Sequence, residues 1–262
     1  MPDQSVQLIY IDPPFNTGRD QVRQTRKSEP SQSGTAGFAG KTYRQIVEST
    51  LSYDDSFADY WSFLEPRILE AKRLLTESGT LYLHLDYREA HYAKVLLDGI
   101  FGRDCFLNEI IWAYDYGGKS KGRWPSKHDT ILVYVKNPKK YFFSSETVDR
   151  EPYMAPGLVT KEKAERGKLP TDVWWHTIVS PTGKEKTGYP TQKPEGILRR
   201  VIQASSKPGD HVLDFFAGSG TTGAVAAKLG RTFTLVDQSA DSIAVIRKRL
   251  TADQVRFELL ER

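Results

Sequence analysis

The sequence predicts an α/β fold with a mostly parallel sheet, and three stretches carry that expectation. Val6, Leu8, Ile9 and Ile11 make a short apolar run with a β-branched bias, which reads as a buried strand. From Ser56 to about Phe101 helical and strand patterns alternate, the rhythm of parallel strands joined by crossovers. Late in the chain, Val212 to Phe216 leads through a glycine-rich turn into an Ala-rich helix, then into a strand that ends in an acid, Asp237.

Length and composition agree. The 262 residues suffice for one large α/β domain or two small ones. With 39% hydrophobic and 27% charged residues, the composition is that of a soluble globular protein. No apolar run approaches the roughly 20 residues that cross a bilayer, and no signal-type segment opens the chain, so a cytoplasmic location without a membrane partner is expected. A single cysteine, Cys105, excludes an intrachain disulfide and a cysteine-rich zinc site, and reads as a small buried apolar side chain. The five histidines lack metal-type spacing, so no metal is expected. A net charge of +4 permits a nucleic-acid partner without demanding one.

The opening strand stops at Asp12-Pro13-Pro14-Phe15. Neither proline can donate a backbone hydrogen bond and each fixes φ, so the segment leaves the sheet as a stiff extended turn. Ligands of open α/β sheets bind at the carboxyl ends of strands. One carboxylate, free carbonyls and a flat ring at that place suit a planar substrate with an amino group; a polar turn that merely contains prolines is the alternative. Asn16 to Asp55 shows no hydrophobic period and reads as a long loop. It carries Arg19, Arg23, Arg26 and Lys27 ahead of a Ser/Gly/Pro-rich run, Ser28 to Gly40, and is either a solvated insertion or a basic lid beside the substrate.

Trp61, Leu64, Ile68, Ala71 and Leu75 recur at helical spacing, with Pro66 expected to kink that helix or start a second one and Gly79 to end it. Thr80 to Leu85 is the next strand. Asp86 with Glu89 gives a capping-box pattern for a helix to about Phe101; Asp86 either faces the site or simply caps. Strands at Phe106 to Tyr114 and Thr130 to Lys136 are joined by Gly117 to Asp129, too short for a crossover helix, so an antiparallel pair at the sheet edge is expected. In that connector Lys119, Lys121, Arg123 and Lys127 surround Trp124, which fits phosphate contacts with stacking at a nucleic acid, or a solvated loop with Trp124 folded back. Lys139 to Tyr189 is the least periodic stretch, a small irregular module whose Trp174-Trp175 pair is either local core or a recognition surface. Thr191-Gln192-Lys193-Pro194 opens a helix with Ile197, Leu198, Val201 and Ile202 on one face. In the turn that follows Asp214, Gly218 and Gly220 let the backbone approach a ligand, and Asp237 is placed to accept both hydroxyls of a ribose. The third glycine of a dinucleotide site and the lysine of a P-loop are missing, so a ligand with an adenosine end and an amino-acid end fits better than a pyrophosphate. A helix capped near Ser239 and a strand at Val255 to Leu259 complete the expected order.

Together, Asp12-Pro13-Pro14-Phe15, Thr191-Gln192-Lys193-Pro194 and Asp214-Phe215-Phe216-Ala217-Gly218-Ser219-Gly220 resemble the β-group amino-methyltransferases of bacterial DNA. In that family the catalytic DPPY/F motif precedes the S-adenosylmethionine motif, a circular permutation, and the likeness extends through GTLYLHLD, NEIIWAY and KHDTILVY. The resemblance implies a circularly permuted Rossmann-like methyltransferase sheet, mostly parallel with an antiparallel edge pair, plus a small irregular target-recognition module. Its catalytic half is 1–138, its recognition region 139–189 and its cofactor half 190–262. The implied reaction is methyl transfer from S-adenosylmethionine to adenine N6 of double-stranded DNA, on a base rotated out of the duplex and without a covalent enzyme intermediate. Asp12 and the Pro13 carbonyl would accept hydrogen bonds from the amine, within a turn stiffened by Pro14, and Phe15 would stack on the base. Asp214, Phe216, Ala217, Gly218, Ser219, Gly220 and Thr221 would surround the cofactor's methionine moiety, Asp237 its ribose, and Thr191, Gln192 and Lys193 its amino-acid end. Candidates for DNA contact are Arg19, Lys119, Lys121, Arg123, Trp124, Lys127, Trp174 and Trp175.

One departure concerns the family's GDxLxxL-like segment before the DPPY/F strand, whose acid contacts the cofactor's adenine. The sequence starts at Met1-Pro2-Asp3, where that segment would be ending: either the start is truncated, with cofactor affinity and activity affected, or Val255 to Leu259 and another side chain compensate. Cytosine-N4 methylation, a DNA-binding remnant, and methylation of a protein glutamine or RNA are the alternatives; aspartate at the motif's head favours adenine. A homodimer and a cognate restriction nuclease are left open as partners. The length favours a stand-alone enzyme, cytoplasmic and nucleoid-associated through DNA.

Overall fold

Val6–Ile11 (β1) is buried at all six positions, so it must be covered on both faces and both edges. The chain continues with β2 (Gln21–Ala36), β3 (Thr42–Tyr53), α1 (Tyr60–Leu74), β4 (Leu75–Leu85), α2 (Ala90–Phe101), β5 (Phe106–Ala113) and β6 (His128–Val135). A short helix α3 (Lys161–Arg166), β7 (Val173–Trp175), α4 (Glu195–Ser205), β8 (His211–Asp214), α5 (Thr221–Lys228), β9 (Thr232–Leu235) and α6 (Ala240–Ala252) follow. The structure, a computed structural model, describes residues 1–18, 21–36, 42–53, 55, 57, 59–117, 119–180 and 182–260, of which 21–36, 42–43 and 45–53 are described as backbone only.

Seven strands form one sheet in the order β7-β5-β6-β4-β1-β8-β9. β1 runs parallel to β4 and β8, β9 parallel to β8, and β7 parallel to β5, whereas β6 is antiparallel to both of its neighbours. Six strands therefore end on one edge. Strand alternation sends Ile9 and Ile11 into a core with Leu64 and Ile68 of α1 and Leu97 of α2. It sends Leu8 and Tyr10 to the opposite face, against Ile197 and Val201 of α4 and Val225 of α5. Crossovers on both faces meet at β1, the arrangement that opens a crevice at the carboxyl ends of the strands.

Several expectations are corrected. Residues 16–55 are not a plain loop: β2 and β3 pair antiparallel from Gln21↔Tyr53 to Ala36↔Thr42 as a separate two-stranded sheet. Ladder hydrogen bonds between backbones need no apolar period, so a hydrophobicity pattern cannot report them. Pro66 lies within one continuous helix, whose start is capped by Asp59 accepting from the Trp61 and Ser62 amides. That helix gives way to β4 at Leu75 rather than ending at Gly79. The pairing with β1 jumps from Val6↔Leu75 to Leu8↔Thr80, and Gln7 stabilises the excess residues by accepting from Thr76 and Ser78. Asp86 does not cap α2, which begins four residues later; its carboxylate accepts the Arg88 amide instead. The antiparallel pair is not at the edge, because β7 adds outside β5. Residues 255–259 form no strand. The irregular stretch 139–189 supplies β7 and leans on α4 through Arg199–Asp149 and Arg200–Glu151 ion pairs. Cys105 is buried as expected.

Among the described residues no helix is long and apolar enough to cross a membrane. Because β1 is enclosed on both faces, Ile9→Ala is expected to cost about 3 kcal/mol, measured by urea unfolding, with the midpoint falling and the slope unchanged.

Candidate active site

The pairing of β1 with β8, Leu8↔Val212 and Ile9↔Leu213, brings the turn after Ile11 beside the turn after Asp214. Between them lies a cleft of about 630 Å³. Its walls include Asp12 and Pro14 from the first turn, Asp214, Phe216, Ala217, Gly218, Ser219 and Thr221 from the second, Asp237 after β9, and Thr191, Gln192 and Lys193 ahead of α4. Residues from three distant stretches of sequence thus meet in one place.

The prolines lead into Asn16, held at φ +53°, a left-handed conformation that asparagine tolerates. Its amide donates to Glu89 (2.8 Å) and its carbonyl accepts the Phe57 amide (3.2 Å), anchoring the turn's exit to neighbouring segments. At the turn's head, Lys193 Nζ lies 2.5 Å from Asp12 Oδ2, and both side chains are largely buried. The same ammonium sits 5.0 Å from the centre of the Phe15 ring. Thr221 donates to the Lys193 carbonyl (3.1 Å), tying this loop to the start of α5. The other carboxylate oxygen, Asp12 Oδ1, is buried without a hydrogen-bond partner. An ionised oxygen left in that condition is an acceptor awaiting a donor.

In the second turn Gly218 and Gly220 both have positive φ, +49° and +70°, and a Cβ on Gly220 would lie 2.9 Å from Ile246. Glycine is required there by backbone and by space. Asp214 is buried and accepts from Thr222 Oγ1 (2.6 Å) and the Phe216 amide (3.0 Å), so it shapes the turn from beneath. Burial raises its pKa to about 7 against those two hydrogen bonds, with Asp12 and Asp237 adding to the rise. Asp237 accepts from the Gly218 and Ser239 amides, which fixes its carboxylate at the cleft wall and leaves lone pairs over.

Lys193 was expected at a cofactor's amino-acid end and is instead on Asp12. Gln192 lines the cleft but spends its amide on its own loop, donating to the Glu185 carbonyl and accepting from Thr187. Pro13 is buried, and the Phe15 ring packs 5.8 Å from His84. Val255 packs near Ala217 and Ile246 without lining the cleft, so the 255–259 stretch does not complete it. Sequence reasoning missed Arg249, which donates to Thr221 Oγ1 (2.9 Å) and to Glu195 Oε1 (2.9 Å) and clamps the glycine turn from α6. Burial alone would raise the Glu195 pKa, yet hydrogen bonds from Lys228 and Arg249 hold it below the ordinary value. No motif marks a pair 54 residues apart.

The candidates for DNA contact separate. Lys119, Lys121, Arg123 and Trp124 are exposed, Trp124 to 94%, so Trp124 is not folded back onto the domain. Lys127 is half-buried and donates to the Gly117 carbonyl. Trp175 is exposed, but Trp174 is buried in the core, with Nε1 donating to the Thr171 carbonyl and Arg200 over its ring. Adjacent positions of a strand face opposite ways, so only one of the pair can reach a partner. Arg19 lies outside the described residues.

Comparison with known proteins agrees with this geometry. The family model for DNA methylase of the N6/N4 type matches residues 6–248, and the chain belongs to that family. It is 30% identical over 260 residues to the type II methyltransferase M.HpaI of Haemophilus parainfluenzae, covering 99% of this chain and 72% of that one. It is 31% identical over 258 residues to the DNA adenine methyltransferase YhdJ of Escherichia coli K12, covering 95% of this chain and 78% of that protein. The crystal structure of the M1.HpyAVI–SAM complex superposes with a TM-score of 0.54 at 25% identity, covering 72% of this chain and 82% of the other.

The buried Asp214 makes a pH prediction. The unfolded chain ionises this group near 3.8, whereas the folded chain keeps its proton up to about 7, so between those values the folded state binds more protons. This group's contribution to stability therefore falls as pH rises through that window and is level above it. Urea unfolding from pH 4.5 to 7.5 should show a flatter profile for Asp214→Asn than for the unaltered protein.

Proposed function

We propose that this protein transfers a methyl group from S-adenosylmethionine to N6 of adenine in double-stranded DNA. The observation that carries the reading is Asp12: it lines a cleft whose opposite wall is a glycine turn, one carboxylate oxygen bound by Lys193 and the other buried and, among the described residues, without a hydrogen-bond partner. The named DNA adenine methyltransferase among its relatives and the SAM complex of a structural neighbour support the choice of base and cofactor.

The cleft suits this cofactor. Asp12 and Asp237 line it, acceptors that favour a ligand carrying sulfonium and ammonium charge over one carrying phosphates. Gly218 lines the cleft, whereas Gly220, expected at the ligand, packs against Ile246 and shapes the turn; Asp237 has lone pairs free for ribose hydroxyls. S-adenosylmethionine, when bound, supplies an electrophilic methyl group on sulfur. Everything else is done by the chain's own groups. The exocyclic amine of adenine is a weak nucleophile because its lone pair is delocalised into the ring. Asp12 Oδ1 and the Pro13 carbonyl accept its two N–H groups, which returns electron density to nitrogen and places negative charge where positive charge develops. Lys193 fixes the Asp12 rotamer through Oδ2 and leaves Oδ1 as the acceptor for the amine. The Phe15 ring receives the face of a base rotated out of the duplex. The exposed basic loop around Trp124 lies on the same edge of the sheet as this turn and is suited to the phosphates of the duplex.

The test is incubation with labelled S-adenosylmethionine and mixed-sequence duplex DNA, followed by digestion and mass spectrometry of nucleosides. N6-methyladenine is expected; N4-methylcytosine alone, or no transfer by the unaltered protein, would overturn the reading. Asp12→Ala should lower the single-turnover rate by roughly 10²–10³-fold. Lys193→Met should lower it in the same experiment while leaving DNA affinity unchanged, because Lys193 acts on the carboxylate and not on the duplex.

A further inference from the structure

Beneath the Phe15 ring lies a buried polar chain that the reaction as described does not use. Tyr10 Oη is 2.7 Å from His84 Nδ1, His84 Nε2 is 3.2 Å from Asp129 Oδ2, and Tyr114 Oη donates to Asp129 Oδ1 at 2.9 Å. His84 is fully buried, and Tyr10 and Asp129 nearly so. The imidazole packs edge-on against Trp112 at 5.5 Å and, tilted by 39°, against Phe15 at 5.8 Å.

The hydrogen-bond pattern has one assignment that leaves nothing unpaired. The Tyr10 hydroxyl donates to His84 Nδ1, Nε2–H donates to Asp129, and Tyr114 donates to the second Asp129 oxygen. The hydroxyls stay protonated, because burial and then the neighbouring carboxylates raise the pKa of Tyr10 and Tyr114 well above the ordinary value. Burial opposes ionisation of Asp129, but the hydrogen bond and charge of His84, then the charge of Lys193 and the hydrogen bond from Tyr114, hold its pKa below the usual carboxylate range.

The position of this chain gives it a purpose. One end, Tyr10, stands on β1 two residues before Asp12. The other end closes the root of the exposed basic loop: Tyr114 and Asp129 are its two hinges, also joined where the Tyr114 amide donates to the Lys127 carbonyl at 2.9 Å. Trp112, packed edge-on against both His84 and Tyr114, donates through Nε1 to the His176 carbonyl, one residue beyond exposed Trp175. A plain hydrophobic contact under Phe15 would pack as well, so a polar chain with a single satisfied pattern is a device for holding rings and loop in one arrangement.

Building on the function proposed above, we infer that His84 is a positioning residue. With Tyr10, Asp129 and Tyr114 it fixes the Phe15 ring beside Asp12 and locks that ring to the root of the loop suited to DNA. It touches neither the base nor the cofactor.

The experiment uses two duplexes: one with the adenine that the unaltered protein methylates, for the single-turnover rate, and one in which 2-aminopurine replaces that adenine, for the fluorescence rise. Failure of the unaltered protein to methylate any adenine is therefore seen first and separately. His84→Leu removes both hydrogen bonds, whereas His84→Gln keeps an acceptor for Tyr10 and a donor for Asp129. His84→Leu is expected to lower the single-turnover rate by about 10²-fold and to abolish the 2-aminopurine fluorescence rise, with the affinity for sinefungin, a cofactor analogue, unchanged. His84→Gln should restore most of both signals. Should His84→Leu fold poorly, Tyr114→Phe removes one hydroxyl at the loop root and should lower rate and fluorescence rise together, again without change in sinefungin affinity. The inference is overturned if His84→Leu or Tyr114→Phe matches the unaltered protein in rate and fluorescence. It is equally overturned if sinefungin affinity and melting temperature fall in step with the rate and glutamine rescues no better than leucine.

Discussion

The constraint on which the rest depends is the pairing of β1 with β8. Two register pairs, Leu8↔Val212 and Ile9↔Leu213, join strands some two hundred residues apart and leave their last residues side by side on one edge of the sheet. Everything chemical follows from what leaves that edge. β1 exits through two prolines that cannot return to the ladder, and β8 exits through glycines that turn where other residues would clash. Lys193, carried on a third stretch, closes the junction by binding Asp12. A buried ion pair of this kind is weak evidence for stability, since desolvation offsets much of the attraction. Its retention here is better explained by geometry: it occupies one carboxylate oxygen of Asp12 and fixes the rotamer of the side chain.

Much of this was legible in the sequence. β1 declared itself by six enclosed positions without a charge, the proline turn by its chemistry, and the glycine turn by its place between a strand and a helix. The order of the motifs along the chain was enough to imply that they meet. Orientation was not legible. The TQKP motif shows that a lysine is present but not that its ammonium reaches Asp12, 181 positions away in sequence. The Trp174-Trp175 pair could not be divided because three residues of β7 are too few to display a period. β2 and β3 stayed hidden because their pairing rests on backbone groups common to every residue. Asp86 matched a capping box yet serves Arg88, a local competition that spacing alone does not resolve.

The three segments inferred from the motifs also merge more than expected. The irregular stretch adds a strand to the sheet outside β5 and packs on α4, the helix that begins directly after Lys193. The surface suited to recognition and the loop that holds Asp12 therefore share one rigid support. Arg249 extends the same economy from the other side, joining α6, α4 and the glycine turn through one guanidinium.

Charge is distributed to match. The cleft gathers Asp12, Asp214 and Asp237, while the exposed loop on the same edge carries Lys119, Lys121 and Arg123. A duplex drawn to that loop by its phosphates meets carboxylates at the cleft, which repel the backbone and admit a neutral base. Under the proposed function, a stacked base cannot bring its amine to Asp12 without carrying phosphates toward Asp12 and Asp237. The sign of the charge inside the cleft thus demands that the base leave the helix alone, and the aromatic ring of Phe15, set beside Asp12, gives it a surface to leave for.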